Sequence, residues 1–379
     1  MLVVLSLGWA VLQAGRFLLS PLLPTIIADL HITEATAGVA LGVFQAVYAV
    51  TQYPSGEYSD RWSRATLIVP GLVALVVGFA VLGVAGGFAG FLVAVVVIGL
   101  GKGLFATPSR ALLSDLYLAR RGQALGVYAA GTDVGGLLAS GVAVLALTYA
   151  TWRAPFVPVA VALLAVAALY VVWSTEDYLV GDATLDLSGT VGRLVASPEQ
   201  RGTLVAFALF YFMVGGFINF LPTYLAQAKG FSDAVASGAF AIVFAVGLGV
   251  KPLAGGLSDR FSRRSIAITG LGVAAVALVG LLFADSFLLV GVSVFAMALG
   301  YKTEFPLADA IIIDDAPDGD MGADLGAARA LFLGTNALGP AYVGVAATYA
   351  GYDVAFGSLS LTLVVAAGLL YWGERNGSA

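Results

Sequence analysis

The sequence predicts an all-α membrane protein, with twelve transmembrane helices in two pseudo-symmetric six-helix bundles. Three observations carry this. Hydrophobic residues make up 60% of the 379 and charged residues only 11%, whereas a soluble globular domain has about 25% charged, so the chain has too little polar surface to coat a soluble globule. Glycines and charged loops divide it into about twelve apolar stretches, each near the ~20 residues that cross a bilayer as a helix. A charged phrase is also written twice, as Gly56-Glu57-Tyr58-Ser59-Asp60-Arg61-Trp62-Ser63-Arg64 and as Gly255-Gly256-Leu257-Ser258-Asp259-Arg260-Phe261-Ser262-Arg263-Arg264. The two aspartates are 199 residues apart (259 − 60), so the halves of the chain repeat.

The first apolar stretch, 2–28, has neither a basic leader nor a small-residue cleavage site. Its removal would leave an odd number of spans, so it is read as a retained helix. Stretches 35–57, 65–86, 88–113, 123–148 and 152–173 complete the first bundle, with a break at Gly86-Gly87. The second bundle takes 202–227, 233–254, 265–284, 286–313, 325–350 and 353–372, with breaks at Asp285 and Gly351. Apolar continuity stops for longest over Ser174 to Gln200, rich in Asp, Glu, Gly and Thr. The expected domains are therefore 1–173, a central loop over 174–200, and 201–379. Short loops bearing Arg61, Arg64, Arg120, Arg121, Arg260, Arg263 and Arg264 alternate with loops whose only basic residues are Arg153 and Lys229. Under the positive-inside rule the central loop and both chain ends are cytoplasmic, and the cell membrane is the expected location.

Composition also excludes classes of function. There is no cysteine, hence no disulfide, thiolate metal site or cysteine nucleophile. The one histidine, His31, rules out a histidine cluster and reads as a loop residue or a pH sensor. A net charge of −5 argues against nucleic acid as a partner. The acidic run Asp314, Asp315, Asp318, Asp320 and Asp324, broken by Pro and Gly, reads as a solvated turn. No nucleophile, metal site or paired carboxylates point to an enzyme, and no cofactor or metal is expected.

The halves match beyond the loop. Gly101-Lys102-Gly103 followed by Pro108 parallels Gly300-Tyr301-Lys302 followed by Pro306, and Ser114-Asp115 falls where Ile313-Asp314 falls. Gly131-Thr132-Asp133-Val134-Gly135-Gly136 parallels Gly334-Thr335-Asn336-Ala337-Leu338-Gly339-Pro340.

The repeated pattern Gly-x-x-x-Asp-Arg-x-Ser-Arg resembles the loop motif of the major facilitator superfamily of secondary transporters, and the twelve spans extend the resemblance over the whole chain. Ser63 and Ser262 stand where the family's motif usually has glycine. The resemblance implies transport by alternating access, with Gly56, Asp60, Arg61, Arg64, Gly255, Asp259, Arg260, Arg263 and Arg264 forming a cytoplasmic gate that favours the outward-open state. The alternative is a topology signal with ordinary surface ion pairs. In the fifth span Gly126, Gly131, Gly135 and Gly136 resemble the glycine-rich motif of antiporter branches, although Thr132 replaces its proline. Small residues that let helices pack are the other reading. The family's fourth-span arginine, expected near Val95 to Val97, is absent.

An ionisable side chain at the bilayer centre costs about 2.5–3.5 kcal/mol on insertion scales, so it normally has a partner or faces a cavity. Arg16, Lys102, Asp133, Lys302 and Glu304 lie well inside the spans, and Lys251, Asp309 and Arg329 lie near span ends. The family lines its cavity with the first, fourth, seventh and tenth helices, which hold Arg16, Lys102, Lys302 and Glu304. Lys302 and Glu304 are two residues apart and so point about 200° from each other. Arg16 and Lys102 are candidates for the substrate or a counter-ion, Asp133 and Glu304 for carrying a proton, and Asn336 marks the second copy's counterpart of Asp133. Pairing within one half, such as Lys102 with Asp133, is the alternative. Gln45, Tyr48, Gln52, Tyr211, Asn219 and Tyr224 are further wall candidates.

The expected function is proton-linked secondary transport of a small organic solute by a monomer in the lipid bilayer. The glycine-rich fifth span leans toward antiport or efflux, and the basic residues toward import of a small organic anion. A transporter fold serving as a non-transporting sensor is the remaining alternative.

Overall fold

The computed structural model of the chain describes residues 1–174, 176, 178–180, 198–258, 260–314 and 321–377, without the side chains of 53, 57, 60, 61, 121, 198, 199, 255, 313, 314, 321–326, 376 and 377. Twelve helices among the described residues are long and apolar enough to cross a membrane. The first six are α1 (Leu2–Leu30), α2 (Glu34–Arg61), α3 (Arg64–Val84), α4 (Phe88–Leu116), α5 (Arg121–Tyr149) and α6 (Phe156–Trp173). The others are α7 (Pro198–Thr223), α8 (Asp233–Ser258), α9 (Arg263–Leu282), α10 (Phe287–Asp314), α11 (Met321–Ala350) and α12 (Tyr352–Gly377). Two compact units result, one of Met1–Thr33 with Ala40–Leu185, the other of Glu34–Val39 with Asp186–Ala379.

The helix ends have local causes. His31 closes α1 in the left-handed region, at φ 51° and ψ 44°, with its N–H returned to the Ala28 carbonyl. The solitary histidine is thus a helix cap. Most of the repeated phrase is helix, because α2 continues to Arg61 and α8 to Ser258. The serines that replace the motif's glycine begin the next helix in each unit: Ser63 Oγ accepts from the Thr66 N–H, and Ser262 Oγ from the Ser265 N–H.

A carboxylate from the end of each six-helix set serves the same helix start. The Ala65 N–H donates to Glu176 Oε2 at 3.0 Å, while Ser262 Oγ and Ser265 Oγ each donate to Glu374 Oε1 at 2.9 Å. Leu179 adds a backbone acceptor for the Ser63 N–H. Asp60, Arg61 and Gly255 side positions and the whole of Asp259 lie outside the described residues, as does the acidic stretch 315–320.

Within each unit the same pairs of helices pack: α1 on α5, α3 on α4 and α3 on α6 in one, α7 on α11, α9 on α10 and α9 on α12 in the other. The α3–α4 seam closes because it has no side chains at its crossing. A Cβ on Gly101 would stand 2.8 Å from the Gly71 carbonyl oxygen, and one on Gly300 would collide with the Gly270 carbonyl. The pairs Gly71/Gly101 and Gly270/Gly300 are each offset by 199 residues (270 − 71 and 300 − 101). This packing register places Lys102 opposite Tyr301 and Lys302 opposite Gly103, so the two lysines are not counterparts.

Overpacking a closed seam costs about 1–3 kcal/mol or more. Gly101→Leu and Gly300→Leu should therefore lower the melting temperature of the detergent-solubilised protein. Gly272→Leu, at a glycine of α9 with nothing within 4 Å of an added Cβ, should leave it nearly unchanged. Equal effects at all three sites, measured by thermal unfolding, would contradict the seam.

Candidate solute-binding site

Lys102 sits one residue past the Gly101 crossing, on a stretch of α4 gripped from two sides. Gly103 faces Thr51 of α2 so closely that an added Cβ would lie 2.6 Å from the Thr51 Cβ. The lysine is therefore held between helices, 4% exposed. Its Nζ lies 4.1 Å from the centre of the Tyr48 ring, 5.3 Å from Phe44 and 6.0 Å from Trp9. Among the described residues no carboxylate pairs with it and no acceptor hydrogen-bonds it, and the charges of Arg16 and Arg110 act on it as well. Ring faces attract a cation by roughly 0.5–2 kcal/mol each, far short of the cost of burying an ammonium.

The surrounding groups come from the same unit. Arg16 of α1 has its Cζ 5.8 Å from the same Phe44 ring. Arg110, two turns beyond Lys102, has its Cζ 5.4 Å from the Trp9 ring and 5.8 Å from that of Tyr128. Trp9 and Tyr128 stack at 5.2 Å, and Trp9 Nε1 donates to Thr132 Oγ1 at 2.9 Å, which fixes the indole. Asp133, the next residue, is buried at 1% exposure.

Gly131 and Gly135 bring α5 onto α1: an added Cβ on Gly131 would lie 3.1 Å from Trp9 Cδ1, and one on Gly135 2.8 Å from the Ala14 nitrogen. Gly136 is buried, whereas an added Cβ on Gly126 meets nothing within 4 Å. Helix packing thus accounts for two of the four glycines assigned to the antiporter-like pattern.

The second unit is built differently at the matching places. Tyr301, opposite Lys102 in register, packs among Phe210, Phe217 and Phe305. Lys302 turns toward α8, its Nζ 4.6 Å from the Phe244 ring. Glu304 points elsewhere, as the two-residue spacing requires. It is fully buried, neither carboxyl oxygen has a hydrogen-bond partner among the described residues, and Gly270 leaves the room it fills, since an added Cβ there would collide with Oε1.

Asn336 donates to the Tyr211 carbonyl at 2.8 Å, and Gly339 seats α11 on α7 as Gly135 seats α5 on α1, an offset of 204 residues (339 − 135). The structural counterpart of Asn336 is therefore Thr132 and not Asp133. Of the wall candidates, Tyr48 reaches Lys102 and Gln45 is buried. Asn219 bonds its own helix at Gly215, Tyr211 stacks on Phe332, and Tyr224 donates to Asp353.

A family model, Major Facilitator Superfamily, matches residues 5–251 and again 203–378. The chain belongs to the major facilitator superfamily. A Cupriavidus necator protein named "Probable sulfoacetate transporter" is 26% identical over 69% of this chain and 65% of its own length, so the match spans just under two thirds of that relative. The hexuronate transporter of Bacillus subtilis is 23% identical over 90% of this chain and 86% of its own. Among solved structures, a bacterial homolog of the human lysosomal transporter Spinster superposes with a TM-score of 0.83 at 19% identity, over 99% of this chain and 96% of that one. That likeness shows the fold. The protein is a multi-pass membrane protein of that superfamily.

The described part of the repeated motif makes its contacts inside each unit. Arg64 NH2 reaches Asp115 Oδ2 at 3.1 Å and its NH1 donates to Ser59 Oγ at 2.8 Å, tying the ends of α2, α3 and α4 together. Gly56 lies 3.4 Å, measured from an added Cβ, from Thr107 of α4. Arg263 reaches the Ala310 carbonyl at 3.4 Å in the matching place. Arg260 is exposed and Arg264 half-buried.

Arg110 is the site residue that the sequence reading passed over. It could have been noticed as a second cation in the fourth span, eight residues after Lys102, opposite Asp309 at the repeat offset of 199. Asp309 differs in being paired, accepting from Arg329 Nε at 2.9 Å.

A buried charge without a partner weakens a fold, and replacing it by an apolar group of similar length should stabilise by about 1–4 kcal/mol. Lys102→Met is expected to raise the melting temperature in anion-free detergent. A fall of comparable size would mean that the lysine is paired.

Proposed function

We propose that this MFS transporter carries a small organic anion across the cell membrane by alternating access, and that Lys102 binds the anion. The observation that carries the reading is a buried ammonium among aromatic rings, with no protein counter-charge among the described residues and a second cation, Arg16, at the same Phe44 ring. An anionic solute supplies the missing charge. The names of two relatives, a sulfoacetate transporter and a hexuronate transporter, support the class, since both solutes are organic acids.

Proton-linked uptake fits the electrostatics. Moving one negative charge into a cell against an inside-negative potential costs roughly 2.3 kcal/mol per 100 mV, and a proton carried with it cancels that cost. Glu304, a carboxyl without a partner among the described residues, is the assigned proton carrier, with Asp133 the second carboxyl near the anion site. The packing of Gly131 and Gly135 on α1 supports the helix-packing reading of the fifth-span glycines. The halves 1–173 and 201–379 are taken to rock about the central loop, with both chain ends cytoplasmic, as a monomer.

Proteoliposome flux with imposed pH gradients tests this. Uptake of a labelled organic acid should quicken when the outside is acidic. Lys102→Gln should cut it about 30-fold or more, since losing one partner of a buried charge pair costs 2–5 kcal/mol. Glu304→Gln should leave exchange of anion for anion but abolish the response to the gradient. Transport of lipophilic cations alone, or acceleration by an inward alkaline gradient, would overturn the reading.

A further inference from the structure

We infer that the solute is a dianion, and that Arg110 holds its second acidic group while Lys102 holds the first. The inference rests on the anion reading above and extends it from charge to number of charges. Lys102 and Arg110 share a platform: the ring centre of Trp9 lies 6.0 Å from Lys102 Nζ and 5.4 Å from Arg110 Cζ. Their separation is therefore at most the sum of these, 11.4 Å. With a charge-assisted hydrogen bond of about 2.8 Å at each end, and about 1.3 Å more from the Arg110 Cζ to its nitrogen, at most about 4.5 Å remains between two acidic oxygens set in line. That is the span of two acid groups on a skeleton of a few carbons.

Three features make Arg110 more than a membrane-edge charge. It stands near one end of α4, where a long side chain usually reaches for water, yet its guanidinium lies against Trp9 and Tyr128. The platform is rigid, because Thr132 holds the indole and Gly131 seats α5 against it. Among the described residues, moreover, no carboxylate pairs with Arg110, whereas the matching position of the other repeat, Asp309, carries its partner Arg329. The repeat thus kept a neutralised pair in one unit and left two cations on one ring in the other. A monoanion would compensate one of them; a dianion compensates both. A guanidinium suits this role, since its fork meets a carboxylate or sulfonate through two parallel bonds.

Calorimetric titration of the full chain in nanodiscs, with acids of matched length, decides it. The pairs are succinate against butyrate and glutarate against valerate. The wild-type protein should bind the better diacid at least about tenfold more tightly than its monoacid, the loss expected when one charge-assisted contact is missing. Arg110→Gln should bring that ratio to within about threefold, Arg110→Lys should restore most of it, and Lys102→Gln should weaken both acids. Equal affinity for mono- and diacids in the wild type, or an unchanged ratio in Arg110→Gln, would overturn the dianion and leave the anion reading standing. Binding of none of the four acids would overturn both.

Discussion

An ammonium taken out of water must find its charge balanced, and the first unit of this protein is arranged around one that is not balanced from within. Burying an isolated ion is so costly that the group normally pairs or neutralises. Lys102 meets ring faces and other cations instead. The stability lost there must be held elsewhere, and the close glycine crossings of α3 with α4 and of α5 with α1 are the places where helices gain van der Waals contact without a hydrophobic driving force from lipid. On the proposed reading a bound anion would restore the balance, which would make affinity for the anion and relief of the buried charge one free energy.

Duplication explains how the two units share a scaffold and differ at the matching places. Both repeats keep the scaffold: Gly71 with Gly101 and Gly270 with Gly300, a serine starting α3 and α9, and a glutamate, Glu176 or Glu374, on that helix start. What differs is the set of side chains on the helix faces. Position 102 is a lysine where 301 is a tyrosine, 105 a phenylalanine where 304 is a buried glutamate, and 110 an arginine where 309 is a paired aspartate. Conserved crossings hold the backbone in the same place twice, so a changed side chain alters chemistry without moving the helix that bears it.

The spans, the twofold repeat and most of the buried charges were legible in the sequence, because a bilayer imposes length and apolarity on every helix. The four-residue shortening of the charged loop by α2 running to Arg61 rather than ending near 57 was not, since helix propensity alone does not say where a polar stretch stops. Register between the copies was off by one where Asp133 was set against Asn336. The like pairs Gly131-Thr132 and Gly334-Thr335 attracted the alignment there, while glycine contacts that fix the register carry no chemical label. Arg110 was passed over for a related reason: its distance from the span end suggests a surface charge, and only the Trp9 and Tyr128 rings show that it turns inward.

The central claim is that a solute supplies the counter-charge of Lys102. An experimental structure of the full chain in nanodiscs, determined with and without saturating organic acid, addresses it directly. The account predicts an acidic group within hydrogen-bond distance of Lys102 Nζ in the first map and no protein carboxylate there in the second. A salt bridge from Lys102 to Asp133 in both maps, with the solute bound away from α4, would contradict it.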